Sequence, residues 1–504
     1  MKMNQLKAGV VLTYAQTILN ALISLAYTPI MLRLLGQSEY GVYTMSSSMI
    51  AYLGLLNFGL NSSYVRFFTR YRNNNDPVSL ARLNGVFLLV YSAIAAVALI
   101  AGLTISANVS LFYGGSLTAG ELETAKILMG ILSVNLALTF ISTVFSSFVT
   151  ANEEFVFQKL LNMGKTVLSP LATIPVLLLG FRSVGMTVVT TLVCLAVDIA
   201  NVVFCFRKLK IRFMFRGAEM RLVGEIASYS VFIAINSIVD QINWQIDKVI
   251  LGHYHGAAET AVYGVASQLN TLYIGVSTAI SSVFTPRVHK IAHAPDAETQ
   301  YDRLFVKIGR LQTLVLGLVG SGLVLFGRPF LRFWAGNGYE GAYAITLLLV
   351  LPGTIALVQN LGIEIQRAKN MHRFRSWVYL GMAVLNALVS LFLGKAYGGV
   401  GCALGTAMSL ILANGVVMNW YYARKMKLNI KRFWREILHL LVGIVPAVLV
   451  GAVLCRLVEM DTLWKLGLSI LIYCGAYLLC CWCLGMNREE KKLLTNLLRK
   501  VTGK

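Results

Sequence analysis

The feature that most limits what this chain can become is a succession of apolar stretches, each long enough to cross a bilayer. Crossing the hydrocarbon core as a helix takes about 20 predominantly apolar residues, and only a helix or a closed barrel satisfies its own backbone there. Such stretches lie at 9–32, 40–65, 84–112, 123–149, 161–181, 185–206, 224–251, 262–286, 304–326, 343–365, 377–395, 400–423, 437–458 and 466–486. They predict an all-α membrane protein with about fourteen transmembrane helices and leave no room for a separate soluble domain. Composition agrees: 57% of the 504 residues are hydrophobic and 13% are charged, too few polar side chains to cover a soluble surface. The first stretch is too long for a signal-peptide core, lacks a small-residue cleavage site behind it and carries Gln16 and Asn20, so it reads as a retained span.

The net charge of +22 speaks for membrane orientation, not for nucleic acid. With the amino terminus inside, the inner connections collect most of the 44 Lys and Arg, among them Arg66, Arg70, Arg72, Arg207, Lys208, Arg303, Lys307, Arg310, Arg373, Arg375, Arg432, Arg435, Lys491 and Lys492. Insertion favours cytoplasmic Lys and Arg, so both termini are expected in the cytoplasm. The outer loops, 34–39, 114–122, 182–184, 252–261, 327–341, 396–399 and 459–465, are short. None can hold an external catalytic domain. The phosphate-binding loop G-x-x-x-x-G-K-[ST] is absent, as are H-E-x-x-H and G-x-S-x-G. The chain is therefore not expected to be an enzyme or to hold a cofactor or metal. Its eight cysteines lie in or beside apolar spans, and the Cys480–Cys481–Trp482–Cys483 run has no histidine nearby, so packing is the simpler reading. The pairs His253 and His255, and His289 and His293, are weak metal signals.

The chain also repeats itself. Leu35–Gly36 matches Leu251–Gly252, and Val184–Gly185–Met186 matches Val400–Gly401–Cys402 at the same separation. Tyr40–Gly41 matches Tyr263–Gly264, shifted by the longer second outer loop. Six helices per copy is an even number, so both copies start inside and form parallel repeats, with a substrate site expected at their interface. The expected organisation is two six-helix bundles, 1–206 and 207–423, two additional helices over 424–486, and a basic cytoplasmic tail, 487–504.

Polar residues inside the spans carry the functional expectation. In span seven, Asn236, Asp240, Asn243 and Asp247 follow at steps of four, three and four, on one helical face, with Lys248 beside them. An ionised side chain at the bilayer centre costs at least about 2.5 kcal/mol, so such residues usually face a cavity or a partner. Asp240 has no cation three or four residues away on its own helix. It is the leading ion-coupling candidate, for a proton or a sodium ion. Asp247 and Lys248 admit either that role or simple reach to the outer interface. Asn20 and Ser24 line a polar face of span one with Thr13, Thr17 and Thr28, for which cavity lining and interhelical hydrogen bonding are the two readings. Glu364 either joins the coupling set or pairs with Arg367, three residues on. Arg66 and Arg310 at inner helix ends suit an anionic headgroup or plain anchoring. Pro352–Gly353 marks a hinge within span ten.

Leu34–Leu35–Gly36 followed by Glu39–Tyr40–Gly41 resembles the first outer turn of the polysaccharide transport (oligosaccharide flippase) family. So do Leu55–Leu56–Asn57–Phe58–Gly59–Leu60 running into Tyr64–Val65–Arg66, and Asp247–Lys248–Val249–Ile250–Leu251–Gly252 with Ala261–Val262–Tyr263–Gly264. Where the family often carries an aspartate, this chain has Asn57. The resemblance implies the multidrug/oligosaccharidyl-lipid/polysaccharide exporter superfamily, a MATE-like fold in a bacterial cytoplasmic membrane. It also implies alternating-access flipping of a polyprenyl-diphosphate-linked oligosaccharide to the outer leaflet. Membrane lipids, that substrate and other polysaccharide-assembly membrane proteins are the implied partners. The rivals are a multidrug/cation antiporter of the same superfamily, a membrane glycan polymerase or ligase, and a structural scaffold.

Overall fold

The computed structural model describes residues 5–215, 220–292, 294–369, 371–492 and 495–496. Among them the chain is helical with no strand, as a backbone without water to bond requires. It is an all-α multi-pass membrane protein. Nine helices among the described residues are long and apolar enough to cross a bilayer, ten if the bent pair Ala342–Val358 and Leu361–Ala368 is one span. Helix is present at all fourteen expected positions. The count of fourteen crossings is not reproduced, and several of the expected positions are broken within the span.

The chain packs as two compact units, Met1–Gly264 with Leu391–Gly399, and Val265–Ser390 with Val400–Lys504. In the first, α1 (Gln5–Leu35) runs unbroken, whereas the second expected span divides into α2 (Gln37–Ala51), a 3-10 turn at Tyr52–Asn57, and α3 (Leu60–Asn73). The division falls where Phe58 and Gly59 both take left-handed φ, 46° and 68°, so the i→i+4 ladder cannot continue. Tyr91 fixes the break by donating to Asn57 Oδ1 at 2.8 Å. Then follow α4 (Pro77–Ala107), the short α5 (Val109–Tyr113), α6 (Ala119–Ala151), α7 (Phe155–Leu178) and α8 (Arg182–Arg207). The core between α3, α4 and α6 is aromatic: Tyr64 meets Phe87 edge-on at 5.0 Å and Phe68 meets Phe148 at 5.6 Å. The buried Tyr64 hydroxyl donates to Asn84 Oδ1 at 2.6 Å, and the Asn84 amide donates to the Arg212 carbonyl at 2.9 Å. Burial therefore leaves that polar chain satisfied.

The next helix, α9 (Met220–Ser282), is two helices joined at Gly256, whose φ of 79° and ψ of −164° are open only to a residue without Cβ. The expected spans 224–251 and 262–286 lie on either side of that corner. In the second unit come α10 (Thr285–Ile291), α11 (Ala297–Trp334), α12 (Ala342–Val358) and α13 (Leu361–Ala368). After these, α14 (His372–Leu410) turns at Gly398, φ 59°, and continues through a π-helical segment, Ile411–Met418, into α15 (Asn419–Arg424). The last two long helices, α16 (Ile430–Leu457) and α17 (Leu463–Cys480), pack on α11. Phe305 stacks on Phe433 at 4.4 Å, and the Tyr477 hydroxyl donates to the Leu314 carbonyl at 2.9 Å. Their other sides expose Leu449, Val453, Leu468, Leu471 and Leu479, the surface expected toward lipid tails.

Candidate functional site

Along α9 the predicted polar face changes character with height. Asp240 is exposed, Asn243 half-buried and Asp247 buried at 2% exposure, with Lys248 half-buried beside it. The side chain of Asn236 lies outside the described residues. Asp247 accepts a 2.5 Å hydrogen bond from the Tyr263 hydroxyl. That bond joins the two halves of α9 across the Gly256 corner. Tyr52 lies within electrostatic reach of Asp247, and Tyr113 packs 3.0 Å from where a Gly252 Cβ would stand. Asp247 and Tyr263 thus form a bonded pair near the Gly256 corner, with the Tyr52 and Tyr113 rings close by. Tyr263→Phe removes the donor and keeps the ring. It is expected to cost about 1.5–3 kcal/mol, the range for a hydrogen bond to a charged group, read as a lower thermal unfolding midpoint.

The Gly256 corner of α9 is held from several sides. The Ser116 hydroxyl donates to the Gly252 carbonyl at 2.6 Å, and the Gln37 amide to the Ala258 carbonyl at 3.4 Å. His253 Nδ1 meets the Phe112 carbonyl at 2.5 Å, and His255 Nε2 meets the Gly394 carbonyl at 2.7 Å. Glu259 Oε1 accepts from the Gly399 amide at 2.8 Å. The two histidines thus serve backbone carbonyls. Among the described residues no group of three His, Cys, Asp or Glu is arranged for a metal; His293 lies outside those residues. The turn at Gly36 is fastened in the same way. Glu39 accepts from the Ser183 hydroxyl and sits 3.6 Å from Arg182, while Ser38 donates to Glu121 at 2.5 Å. The residues that carry the family resemblance at 36–41 and 247–264 are those that build these corners.

On α1, Asn20 is exposed and accepts from the Thr166 hydroxyl of α7 at 2.8 Å. Thr13 and Thr17 turn back on the helix, donating to the Gly9 and Thr13 carbonyls at 2.8 and 3.0 Å, and Ser24 is half-buried. At Asn20, therefore, an interhelical hydrogen bond is formed. Arg66 is exposed on α3. Glu364 pairs with Arg367 at 2.7 Å, at the spacing the sequence offered. The bend of 41° in span ten falls between Val358 and Leu361, beyond Pro352–Gly353, which stays inside α12. There the amides of Gln359 and Asn360 bond back only three residues, to the Ala356 and Leu357 carbonyls at 3.2 and 3.1 Å, which tightens the helix and turns it.

Arg310 is buried at 3% exposure, and its five donors are all engaged. Nε and Nη2 reach the two carboxylate oxygens of Glu490 at 2.6 and 2.9 Å, Nη1 reaches the carbonyl and carboxylate of Glu436 at 2.9 and 3.2 Å, and Nη2 also reaches the Gly485 carbonyl at 3.0 Å. Sequence reasoning missed Glu490, Tyr263, Tyr52 and Tyr113. For Tyr263 the repeat held a signal, since Tyr40–Gly41 and Tyr263–Gly264 are equivalent pairs. They also meet: a Cβ on Gly264 would stand 3.3 Å from the Tyr40 ring.

The family described as Polysaccharide biosynthesis protein matches residues 30–344. A Shigella flexneri protein named "Putative O-antigen transporter" is 21% identical over 431 residues, covering 82% of this chain and 95% of that one. In fold, the lipid II flippase MurJ in an inward closed conformation superposes with a TM-score of 0.75 at 15% identity, covering 94% of this chain and 97% of its own. An inward-facing multidrug resistance MATE family transporter of the MOP superfamily superposes with a TM-score of 0.61 at 14% identity, covering 82% of this chain and 96% of its own. With a match that spans more than half of its length, this chain belongs to the polysaccharide biosynthesis protein family.

Proposed function

We propose that the protein is a secondary transporter that flips a polyprenyl-diphosphate-linked oligosaccharide from the inner to the outer leaflet of a bacterial cytoplasmic membrane, with both termini in the cytoplasm. The observation that carries the reading is family membership in a chain whose fold is that of the lipid II flippase and the multidrug exporters. A polysaccharide-assembly protein built almost wholly of membrane helices, without a sizeable outer domain, suits movement of a lipid-linked sugar better than its polymerisation. The flippase structure covers 94% of the chain and the MATE transporter 82%. That difference favours lipid-linked cargo over a soluble drug, because α16 and α17 add apolar surface for a prenyl tail.

In this reading the oligosaccharide rides in a polar cavity while the lipid tail stays in the membrane. Asp240 carries the coupling, since it is the exposed carboxylate of the α9 face. Asn243, Lys248, Asn20, Ser24 and Arg66 line the path of sugar and diphosphate. Asp247 keeps α9 bent, Glu364 is balanced by Arg367, and Arg310 is occupied by Glu490 and Glu436. Other polysaccharide-assembly membrane proteins would supply and receive the cargo.

Depletion in a strain with intact glycosyltransferases is expected to accumulate lipid-linked oligosaccharide in the inner leaflet. Drug sensitivity without that accumulation would favour the antiporter. Asp240→Asn is expected to abolish the pH or sodium dependence of flipping while the protein folds at wild-type yield. Unchanged transport with unchanged ion dependence would remove Asp240 from the mechanism.

A further inference from the structure

At the outer end of the second unit a cavity of about 900 Å³ opens between the last turns of α11, the loop into α12 and the end of α16. It lies at the opposite end of α11 from the basic inner cluster of Lys307 and Arg310. Arg328 and Arg332 line it, one helical turn apart on the same face. Basic residues on the outer side oppose the charge asymmetry that orients the chain, so two of them together in a cavity need a reason. Neither guanidinium has an ion-pair partner among the described residues, and both are exposed. Two carboxylates share the cavity, Glu340 and the exposed Glu459. Glu340 turns to its own loop: the Gly338 amide donates to it at 3.2 Å, and its own amide together with that of Gly338 holds the carboxyl below its usual range.

The wall is built rather than incidental. Pro329 has no N–H to offer the Leu325 carbonyl, and the Cys455 thiol of α16 takes that place at 3.6 Å. The Tyr343 hydroxyl of α12 donates to the Val324 carbonyl at 2.7 Å. Its ring lies where a Gly327 Cβ would stand, at 2.9 Å, and Arg328 sits 5.0 Å over that ring. Arg328 is therefore stacked and aimed, with its donors left for a ligand. Val324, Leu325 and Met460 give the same cavity an apolar side. Two forked donors beside an apolar wall, at the end of a helix long and apolar enough to cross a bilayer, match the junction of a phosphate with a hydrocarbon tail.

The geometry points to an outer-leaflet binding site for the phosphate group of a lipid, held by Arg328 and Arg332 with its tail against Val324, Leu325 and Met460. Two sources share that chemistry: a resident phospholipid and the prenyl diphosphate of a departing cargo. Only the second rests on the flippase reading; the site itself does not.

The full-length protein in detergent, titrated with geranylgeranyl diphosphate, dioctanoyl phosphatidylglycerol or inorganic pyrophosphate and followed by native mass spectrometry, tests it. Arg328→Gln with Arg332→Gln is expected to weaken the lipid phosphates by at least about tenfold, the loss of two charge-assisted forks. Arg207→Gln, at an inner helix end, is expected to leave them unchanged. Arg328→Lys with Arg332→Lys keeps the charge and loses the forks. Its expected several-fold weakening carries the test if the glutamine pair fails to fold. Preference for geranylgeranyl diphosphate assigns the site to cargo, and equal binding of phosphatidylglycerol assigns it to a resident lipid. Pyrophosphate binding as tightly as either lipid, or both arginine pairs binding like wild type, overturns the proposal.

Discussion

Glu490→Ala is expected to destabilise the second unit by about 3–5 kcal/mol, the cost of stranding one partner of a buried ion pair. The carboxylate is 7% and the guanidinium 3% exposed at their side chains, and they meet at 2.6 Å. Removing the carboxylate leaves Arg310 with the Glu436 and Gly485 contacts but without its bidentate partner. Glu490 has a second task. Its carboxylate accepts from the Asn487 amide at 2.9 Å while Asn487 Oδ1 accepts from the Glu490 amide at 2.9 Å, a reciprocal cap on the helix that follows. The loss should therefore appear both as a lower thermal midpoint in detergent and as faster proteolysis after Gly485. Arg310→Met with Glu490→Leu is expected to recover much of the stability, because no charge is then stranded. If Glu490→Ala melts with wild type, Arg310 is not an anchor, and its place among the substrate-binding residues reopens.

The second large effect is at Gly41. A Cβ there would stand 1.9 Å from the Ala257 carbonyl oxygen and 2.9 Å from its Cα. The obstacle is backbone at the Gly256 corner, so no rotamer change relieves it. Overpacking typically costs about 1–3 kcal/mol, occasionally more, and a clash with fixed backbone belongs at the upper end. Gly41→Ala is expected to drive α2 away from the corner, to strain the Gln37 and Tyr263 contacts nearby, and to lower folded yield sharply in size-exclusion chromatography. Gly164→Ala in α7, where nothing lies within 4 Å of the added carbon, is expected to hold or gain stability, since alanine is the better helix former by about 1 kcal/mol. Equal yields from both variants would mean that α2 and the corner are not in close contact.

How much of this was legible in advance depended on the range over which each interaction acts. The pairing of Glu364 with Arg367 spans three residues of one helix, and the sequence held both partners side by side. Arg310 and Glu490 are 180 residues apart, so no spacing rule joins them. Charge alone left Arg310 as an anchor or a headgroup ligand. The hinge expected at Pro352–Gly353 illustrates the opposite error. Proline removes one hydrogen bond, but whether a helix bends there depends on what packs around it, and the turn came where the ladder tightened at Gln359 and Asn360. The motif Asn57–Phe58–Gly59 was visible as a resemblance; that it breaks a helix with two left-handed residues was not.

The feature first read from the chain, its succession of apolar stretches, fixed what depends on composition and period alone. Helix and membrane follow from the cost of bare backbone and of charge in hydrocarbon, which each segment incurs by itself; the clustering of basic residues sets an expected sidedness. The tertiary structure decided what depends on distant partners. It set which carboxylates are spent on corners and anchors, Asp247 on Tyr263 and Glu490 on Arg310, and which remain exposed, as Asp240 does. It also brought Arg328, Arg332 and Tyr343 to one cavity. Those outcomes rest on how segments pack against one another, whether 16 residues apart, as Asp247 and Tyr263 are, or 180, as Arg310 and Glu490 are, and the chain specifies that geometry only when it is folded.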